Sequence, residues 1–440
     1  MMKRILLRSP KNPFEVVSPR MAYERNLIGD NSGNLVFMHA AHKILATSEA
    51  TIDHGGFSVA PRLAGSVNER YDVYVMPMAN AFRPSYEPKL KRITRFIEGL
   101  KIPVVILGVG AQSSTSYELD RLKPMEATVR RFVTAVLNRA PSIGVRGELT
   151  ETYLRSLGFR DVEVIGCPSM FLHGDRLPVE KRLPALDRTA RVSINVSTYV
   201  TAMGPVVMSH LERYPNLTYI AQDLTSLGLL LRGEDRGSDT ARDDPLPVHV
   251  GHPFFTQQRI RFYVEPWPWM NDLARSDFSF GTRIHGNITA LLAGTPAYVL
   301  AHDSRTLELA RYFEIPHRLM SKVNADTDAA QLYEEADYSL MISGHSARFA
   351  TFVDYLGRHG LQHVFTEGED PAAFDRRVAA TRFPPAVTAS RGGTMPGGLA
   401  GRWLRARHRL AVHAEERREQ IGAGIRLTRK RLGRLRRKLR

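Results

Sequence analysis

The sequence contains a single cysteine, Cys167, among its 440 residues. One cysteine cannot form an internal disulfide or a zinc cluster built from cysteines, which fits a protein of a reducing compartment. Histidines and aspartates also do not cluster at the spacing of metal ligands, so we predict no metal site. These absences exclude disulfide-rich domains and zinc-finger classes of protein.

Long apolar runs are also lacking. No stretch approaches the roughly 18 apolar residues that a membrane span requires. The apolar segment in the opening stretch MMKRILLRSPKNPF is too short for a signal peptide. We therefore expect a cytoplasmic protein, whose only association with the inner face of the cell membrane would be peripheral.

Net charge is nearly absent from most of the chain. The formal charge is +16, but residues 401–440 hold 15 Lys and Arg against 3 Asp and Glu, which leaves only +4 for the rest. The basic character belongs to this C-terminal tail, which we predict to be partly helical. Three interpretations of the tail stay open: a solvated or partner-docking helix, contact with an anionic membrane surface, and nucleic-acid binding, which we do not expect without a recognition fold.

Short apolar runs alternate with amphipathic segments along the chain. Residues 71–79 and 101–108 are rich in Val and Ile, as expected for parallel strands that are covered on both faces, and the segment between them has helical spacing. The same alternation restarts after a charged, proline-containing segment at 175–190. We therefore predict an α/β protein with two Rossmann-like parallel-sheet domains that face each other across a cleft.

The predicted organisation has five parts. Two sheet domains are followed by a closing helix, by a segment rich in Pro, Gly, Ala and Thr that we expect to be a flexible linker, and by the basic tail. Their predicted bounds are 1–185 for the first domain, 190–345 for the second, 346–365 for the helix, 366–400 for the linker and 401–440 for the tail.

Arg283 and His285 stand between a predicted buried strand and the first turn of the next helix, in the stretch DFSFGTRIHGN. In an open parallel sheet, ligands bind beyond the carboxyl ends of the strands, where helix N-termini present free N–H groups. Arg283 can hold a carboxylate or phosphate there, and His285 can transfer a proton near neutral pH, although a locally hydrogen-bonded histidine would give the same pattern. With the amides near Gly286 and Asn287, these residues predict a pocket for an anion.

An arginine also ends a strand in the first predicted domain. Arg146, in GVRGELT, precedes a helix N-terminus, so that each of two facing domains would offer an arginine to the cleft. Glycines gather in IGDNSGNLVF and LGVGAQSS, where either phosphate contact or turn geometry explains them. The substrate-binding candidates in these two stretches are Asn31, Ser32, Asn34, Gly110 and Gln112.

Five segments resemble the polysaccharide pyruvyl transferase family: NSGNLVF, DVYVMPMANAFRP, PVVILGVGAQ, SIGVRGELTETYLRSLGFRDVEVIGCPS and GTRIHGNITALLAGTPAYVLAHDSRTLELARYFEIP. The resemblance covers roughly residues 26–320. The family is similar to GT-B glycosyltransferases, and its members are understood to move the enolpyruvyl part of phosphoenolpyruvate onto two hydroxyls of one sugar, giving a cyclic ketal and phosphate. The resemblance implies phosphoenolpyruvate as donor substrate, no cofactor, and a sugar or glycan acceptor, which a lipid could carry.

The resemblance also implies roles for single residues. Arg283 and His285 match the Arg-x-His motif of the family, and Arg146 matches its strand-end arginine. His285 would protonate the enol carbon of the donor, and the two arginines would hold its anionic groups. Arg305 would add a third cation, unless it is an exposed arginine at a helix start.

The sequence departs from the family pattern at two positions. Cys167 stands where many members carry an acidic residue. Gly147 stands where an aspartate is common. Either change affects contacts with the donor or the acceptor.

Two other functions stay open. A GT-B-type glycosyltransferase that uses a nucleotide sugar would have the same scaffold, because a fold does not fix the chemistry. Such an enzyme would need an acidic ribose contact, for which Glu308 is the candidate. The third function is a noncatalytic scaffold of a membrane-associated glycan assembly, recruited by the basic tail.

Overall fold

The computed structural model describes residues 2–233 and 244–389. The first 389 residues form one compact unit. The basic tail predicted at 401–440 lies outside the described residues, and so does the end of the predicted linker.

Fourteen strands form the sheets of the described residues. In the first half of the chain they are β1 (Lys3–Leu7), β2 (Ala50–His54), β3 (Val73–Pro77), β4 (Asn80–Phe82), β5 (Val104–Leu107), β6 (Gly110–Ala111), β7 (Ile143–Val145) and β8 (Val162–Val164). In the second half they are β9 (Val192–Asn195), β10 (Thr218–Ala221), β11 (Ile260–Phe262), β12 (Phe278–Gly281), β13 (Ala297–Ala301) and β14 (His317–Leu319).

Helices connect these strands. The first six are α1 (Pro19–Glu24), α2 (Gly33–Leu45), α3 (Ala64–Arg70), α4 (Glu87–Glu98), α5 (Glu126–Leu137) and α6 (Glu148–Ser156). They are followed by α7 (Met203–Arg213), α8 (Leu224–Arg232), α9 (Pro253–Thr256), α10 (Pro266–Leu273), α11 (Ile284–Leu292), α12 (Ser304–Tyr312), α13 (Ala329–Glu335), α14 (Ser339–Ser343), α15 (His345–Arg358) and α16 (Pro371–Ala380). Within the described ranges, no helix has the length and apolar character needed to cross a membrane.

The strands form two main parallel sheets. The first has the order β2-β1-β3-β5, and the pair β7-β8 continues it through a bridge between Val109 and Val145. The second has the order β11-β10-β9-β12-β13-β14. Every pairing within them is parallel, with helices in the connections, as in Rossmann-like domains. The predicted fold class is confirmed.

Burial explains why the sequence pattern located the strands. Every residue of β3, β5, β9, β12 and β13 is buried. A parallel strand that is covered on both faces needs apolar residues at successive positions rather than at alternate ones. The central strands therefore appear in the sequence as nearly continuous apolar runs.

The two sheets share one apolar core and direct hydrogen bonds. A continuous core extends from one face of the first sheet into the second sheet. The backbone N–H of Ser32 donates to the carbonyl of Gln222 at 2.9 Å. Helix α15, predicted as the closing helix at 346–365, returns to the first sheet, where the Tyr355 hydroxyl donates to the carbonyl of Ile106 at 2.8 Å. The domain boundaries at 185 and 190 stay a prediction.

The prediction of a flexible linker at 366–400 is wrong for Pro371–Ala380, because these residues form helix α16. Asp370 caps this helix, and a proline at the first helical position is favourable because its missing N–H is not needed there. Phe374 is buried, and Asp375 pairs with the buried Lys43 of α2 at 2.7 Å. The proline and alanine content that indicated a linker instead starts and fills a packed helix.

Candidate active site

A cavity of about 580 Å³ lies beyond the carboxyl ends of strands from both sheets. The histidines His285 and His302 line it. A cavity lined mainly by one sign of charge attracts ligands of the opposite sign. Its charged lining residues are six cations and one carboxylate: Arg8, Arg83, Lys89, Arg146, Arg283, Arg305 and Asp30.

Local backbone geometry places Arg283 and His285 at this cavity. Gly281 ends β12 with φ +143°, and a Cβ there would lie 1.8 Å from the carbonyl oxygen of Asn195, so the turn requires glycine. The Asn195 side chain accepts a hydrogen bond from the Arg283 N–H at 2.8 Å. Arg283 thereby becomes the N-cap residue of α11, and His285 lies in the first turn.

The imidazole of His285 is enclosed by α2 and by the segment after β8. Its ring packs against Phe37 with 5.3 Å between ring centroids, and its Nε2 lies 3.6 Å from the Cys167 Sγ. A Cβ on Gly33 would lie 2.7 Å from the His285 Cβ, so glycine at this position of α2 lets the two helices approach. The ring is thus held in one position at the wall of the cavity.

Burial holds the pKa of His285 well below its usual range, and the positive charges of Arg146 and Arg305 lower it further. The imidazole is therefore neutral near pH 7 in this structure. A neutral imidazole can accept a proton, but it can donate one to a substrate carbon only after it has been protonated.

Arg146 is buried and forms no ion pair in the described part of the chain, although the buried Glu308 carboxyl lies near enough to act on its charge. Its Nε donates to the carbonyl of Gly108 at 2.9 Å, and one terminal nitrogen donates to the carbonyl of Met78 at 3.1 Å. Burial lowers the pKa of Arg146 from its usual value by more than Cys167 and the Glu308 carboxyl raise it, so further negative charge beside the guanidinium would stabilise it. A bound anion would supply that charge.

Arg283 and Arg305 have acidic partners, unlike Arg146. The Arg283 guanidinium lies 3.3 Å from Asp223, and the Arg305 guanidinium lies 2.5 Å from Asp303. Asp303 is also the N-cap of α12, where it forms a capping box with Thr306. The alternative of an exposed Arg305 at a helix start is excluded, because its side chain is only 20% exposed.

The other sequence candidates divide into two groups. Asn31, Asn34 and Gln112 line the cavity, whereas four others do not. The four residues that were predicted as substrate contacts but do not line the cavity are Ser32, Gly110, Gly286 and Asn287.

Close packing explains why the two α11 candidates miss the cavity. A Cβ on Gly286 would lie 2.5 Å from Gln222 and 2.9 Å from Asn195, so this glycine allows a close approach of elements. The backbone N–H of Asn287 donates to the carbonyl of Arg283 at 3.2 Å, within the helix, and is not free for an anion. Neither residue lines the cavity, and the contact predicted through the Asn287 amide is wrong.

Ser32 and Gly110 also do not line the cavity, although residues close to them in the sequence do. Ser32 is buried where α2 begins. A Cβ on Gly110 would lie 3.1 Å from the Arg146 Cδ, so this glycine makes room for the arginine side chain. Both residues shape the cavity wall without facing the space inside.

The structure explains one departure from the family pattern. A Cβ on Gly147 would lie 2.4 Å from the Glu308 Cγ, so an aspartate at this position has no room. Glu308 is buried, and its carboxylate accepts hydrogen bonds from the N–H and hydroxyl of Thr150 at 2.8 and 3.1 Å. An acidic group from α12 thus occupies the space beside Gly147.

Sequence reasoning missed several lining residues. Arg8 follows β1 directly, and a strand-end arginine is the same signal that identified Arg146. Arg83 directly follows the three-residue strand β4, which was not predicted from the sequence, and Lys89 lies inside α4, away from any strand end in the sequence. His302 follows β13, and its Nε2 lies 3.2 Å from the Tyr199 hydroxyl.

Metal ligands are not grouped in the part of the chain that the structure covers. Within residues 2–233 and 244–389, no three His, Cys, Asp or Glu side chains lie close enough together to hold an ion. The absence of a metal from the reaction stays a prediction.

Comparisons with known proteins agree with the sequence motifs. A family model described as polysaccharide pyruvyl transferase matches residues 14–304, which is more than half of the chain. No curated protein matches the chain.

Solved structures show only distant similarity. HepE from Anabaena, in complex with UDP and glucose, is 11% identical, with a TM-score of 0.39 over 87% of this chain and 99% of that chain. UDP-GlcNAc 2-epimerase from Neisseria meningitidis, bound to UDP-GlcNAc, is 12% identical, with a TM-score of 0.43 over 81% of this chain and 100% of that chain. These TM-scores are too low to support conclusions about the ligand of this chain.

Proposed function

Because this chain belongs to the polysaccharide pyruvyl transferase family, we propose that it moves the enolpyruvyl part of phosphoenolpyruvate onto a sugar. The acceptor would be a sugar of a cell-surface polysaccharide or of its precursor. The products would be a cyclic pyruvate ketal on that sugar and inorganic phosphate.

The observation that carries this proposal is the buried guanidinium of Arg146, which lies beside His285 and forms no ion pair in the described residues. Phosphoenolpyruvate carries a phosphate and a carboxylate, and both need cations in a buried site. The Arg146 guanidinium donates only to backbone carbonyls and to the Cys167 sulfur and forms no ion pair in the described residues, and Arg283 faces the same cavity from the other sheet. One anionic group can therefore be held from each side of the cavity.

Binding of the donor would also prepare His285 as an acid. The positive charges of Arg146 and Arg305 disfavour the imidazolium form of this ring. A phosphate and a carboxylate bound between these groups would offset the two charges and raise the pKa of His285. The ring would then take up a proton together with the donor.

The reaction can be balanced with this single acid. The imidazolium of His285 gives its proton to the methylene carbon of the donor, which becomes a methyl group and leaves an oxocarbenium-like centre at the neighbouring carbon. One sugar hydroxyl attacks that carbon and loses its proton, which His285 can take back. Phosphate leaves with its bonding electrons, and the second hydroxyl attacks the same carbon and gives its proton to the departing phosphate.

The structure weakens the case for a nucleotide-sugar glycosyltransferase. The acidic ribose contact assigned to Glu308 has no place in the cavity, since this carboxylate is bonded to Thr150 and is absent from the lining. The scaffold hypothesis depends on the basic tail, which lies outside the described residues. Neither alternative gains a supporting contact.

Thermal unfolding of the protein with different donors tests the proposal. A ligand that binds the folded state stabilises it, by about 2.7 kcal/mol at a hundredfold excess over its Kd. We expect phosphoenolpyruvate to raise the Tm of the wild-type protein and to have little effect on an Arg146→Gln variant. A rise with UDP or GDP sugars and none with phosphoenolpyruvate would contradict the proposal.

A further inference from the structure

Besides Arg146, three cations from the first half of the chain line the cavity. Arg8 follows β1, Arg83 follows β4, and Lys89 belongs to α4. None of the three forms an ion pair with an acidic side chain of the described residues. We call these three residues the basic cluster.

Two aromatic rings hold the basic cluster together. The Lys89 Nζ lies 5.1 Å from the centre of the Phe57 ring and 5.4 Å from that of Tyr86. The Arg8 guanidinium lies 5.8 Å from the Phe57 centre, and the Arg83 guanidinium lies 5.7 Å from the Tyr86 centre. The rings offer weak attraction to a cation and no full negative charge.

The hydrogen bonds within the cluster leave donors free on two of the three cations. Arg8 is fixed by bonds to the carbonyls of Phe57 and Pro77 and to the Tyr86 hydroxyl. The Arg83 Nε is buried without a partner. The Lys89 Nζ makes no hydrogen bond within residues 2–233 and 244–389. Arg8 thus supplies charge in a fixed place, while Arg83 and Lys89 have N–H groups left for a ligand.

The balance of charge at the cluster is unfavourable without an anion. Burial lowers the pKa of both Arg83 and Lys89, and neighbouring arginines lower it further. Asp30, which also lines the cavity, is the only acidic group in the lining. The three cations of the basic cluster and Asp30, which acts on Arg83 and Lys89, together carry a net charge of +2.

We infer that the basic cluster binds a diphosphate group of the acceptor, so that the sugar reaches the donor as a diphosphate-linked precursor. A diphosphate that is esterified at both ends carries two negative charges and matches the net charge of +2, whereas a sugar carboxylate carries only one. The inference rests on the proposed function, which assigns Arg146, Arg283 and His285 to the donor. Two chemical sources of this group exist, a nucleoside diphosphate and a lipid diphosphate.

The two subsites belong to the same cavity and are close enough to interact. The charge of Arg305 acts on Arg83, which places the basic cluster within electrostatic range of the donor side. An acceptor held by its diphosphate would therefore extend its sugar toward Arg146 and His285. The cavity of about 580 Å³ has room for a donor and a sugar diphosphate head group together.

Calorimetric titration of the full-length protein tests this inference. The probes are inorganic pyrophosphate, UDP and farnesyl diphosphate, each added in the presence of saturating phosphoenolpyruvate. We expect Arg83→Gln and Lys89→Gln each to weaken pyrophosphate binding about tenfold and to change the Kd of phosphoenolpyruvate much less. Lys91→Gln is the matched control, because this lysine of α4 is exposed and paired with Glu87 at 2.8 Å.

The outcomes separate the inference from the proposed function. Unchanged pyrophosphate binding in both variants, or an equal loss of phosphoenolpyruvate binding, would overturn the diphosphate subsite. Tighter binding of UDP would identify a nucleotide-linked acceptor, and tighter binding of farnesyl diphosphate would identify a lipid-linked one. Equal binding of the two would show that the protein recognises the diphosphate alone. All three results support the subsite. If phosphoenolpyruvate does not bind but pyrophosphate still requires Arg83 and Lys89, the proposed donor fails and the subsite stands.

Discussion

At the scale of single residues, the chemistry of the cavity depends on how His285 obtains its proton. Burial, Arg146 and Arg305 hold the pKa of this imidazole low. Many family members carry an acidic residue at the position of Cys167, whose Sγ lies 3.6 Å from the ring. A carboxylate at that distance would stabilise an imidazolium, whereas a thiol offers no full charge. In the proposed mechanism, that stabilisation would come from the bound donor.

The variant Cys167→Asp tests this interpretation. A carboxylate within about 4–6 Å of a histidine favours the charged ring and raises its pKa by roughly one to three units. We expect the pKa of His285, followed by NMR of labelled histidines and assigned with His285→Gln, to be higher in Cys167→Asp than in wild type. Cys167→Ser is the control of similar size and should leave the titration near that of wild type. An unchanged titration in the aspartate variant would show that Cys167 does not set the charge of the ring.

At the scale of helices, Glu308 connects α12 of the second sheet to α6 of the first. Its carboxylate accepts two hydrogen bonds from Thr150, and it fills the space beside Gly147. Burial raises the pKa of Glu308 to about 7. Burial of Glu308 is therefore least costly when its carboxyl group is protonated, although the hydrogen bonds from Thr150 favour the charged form.

This raised pKa predicts how stability changes with pH. In the unfolded chain Glu308 ionises near its ordinary pKa of about 4.5, whereas in the folded state it keeps its proton up to about pH 7. The free energy of unfolding therefore decreases as pH rises from about 4.5 to about 7. The side chain in Glu308→Gln stays neutral, so the variant does not show this decrease in the free energy of unfolding. We expect the free energy of unfolding of the variant, relative to wild type, to increase by roughly 3 kcal/mol between pH 4 and pH 8. Urea unfolding across this range measures it, and a difference that is constant with pH would contradict the assignment.

At the scale of the whole molecule, the sequence predicts those site residues whose position follows from topology. Arg146 and Arg283 follow buried strands, and parallel sheets bring the carboxyl ends of their strands to one edge. The cations of α4 and of the loop before it were missed, because their approach to the cavity depends on how Phe57 and Tyr86 pack. The helix-start amides near Gly286 were over-predicted, because close packing rather than ligand contact requires that glycine.

The basic tail at 401–440 gives a prediction for the full-length chain. Its 15 Lys and Arg against 3 Asp and Glu would be attracted to anionic lipid head groups, and salt would screen this attraction. Deletion of the tail should lower binding to vesicles that contain an anionic lipid, mainly at low salt, and should leave binding of phosphoenolpyruvate unchanged. Sedimentation with such vesicles measures the difference. Equal binding of both forms would count against a membrane partner.

The central claim is that the donor and a proton bind together, with His285 receiving the proton. Calorimetric titration of phosphoenolpyruvate at pH 7, in buffers that differ in ionisation enthalpy, counts the protons taken up without requiring an acceptor. The account predicts that wild type and His302→Gln take up about one proton more per bound donor than His285→Gln does. Equal proton uptake in wild type and His285→Gln would contradict it.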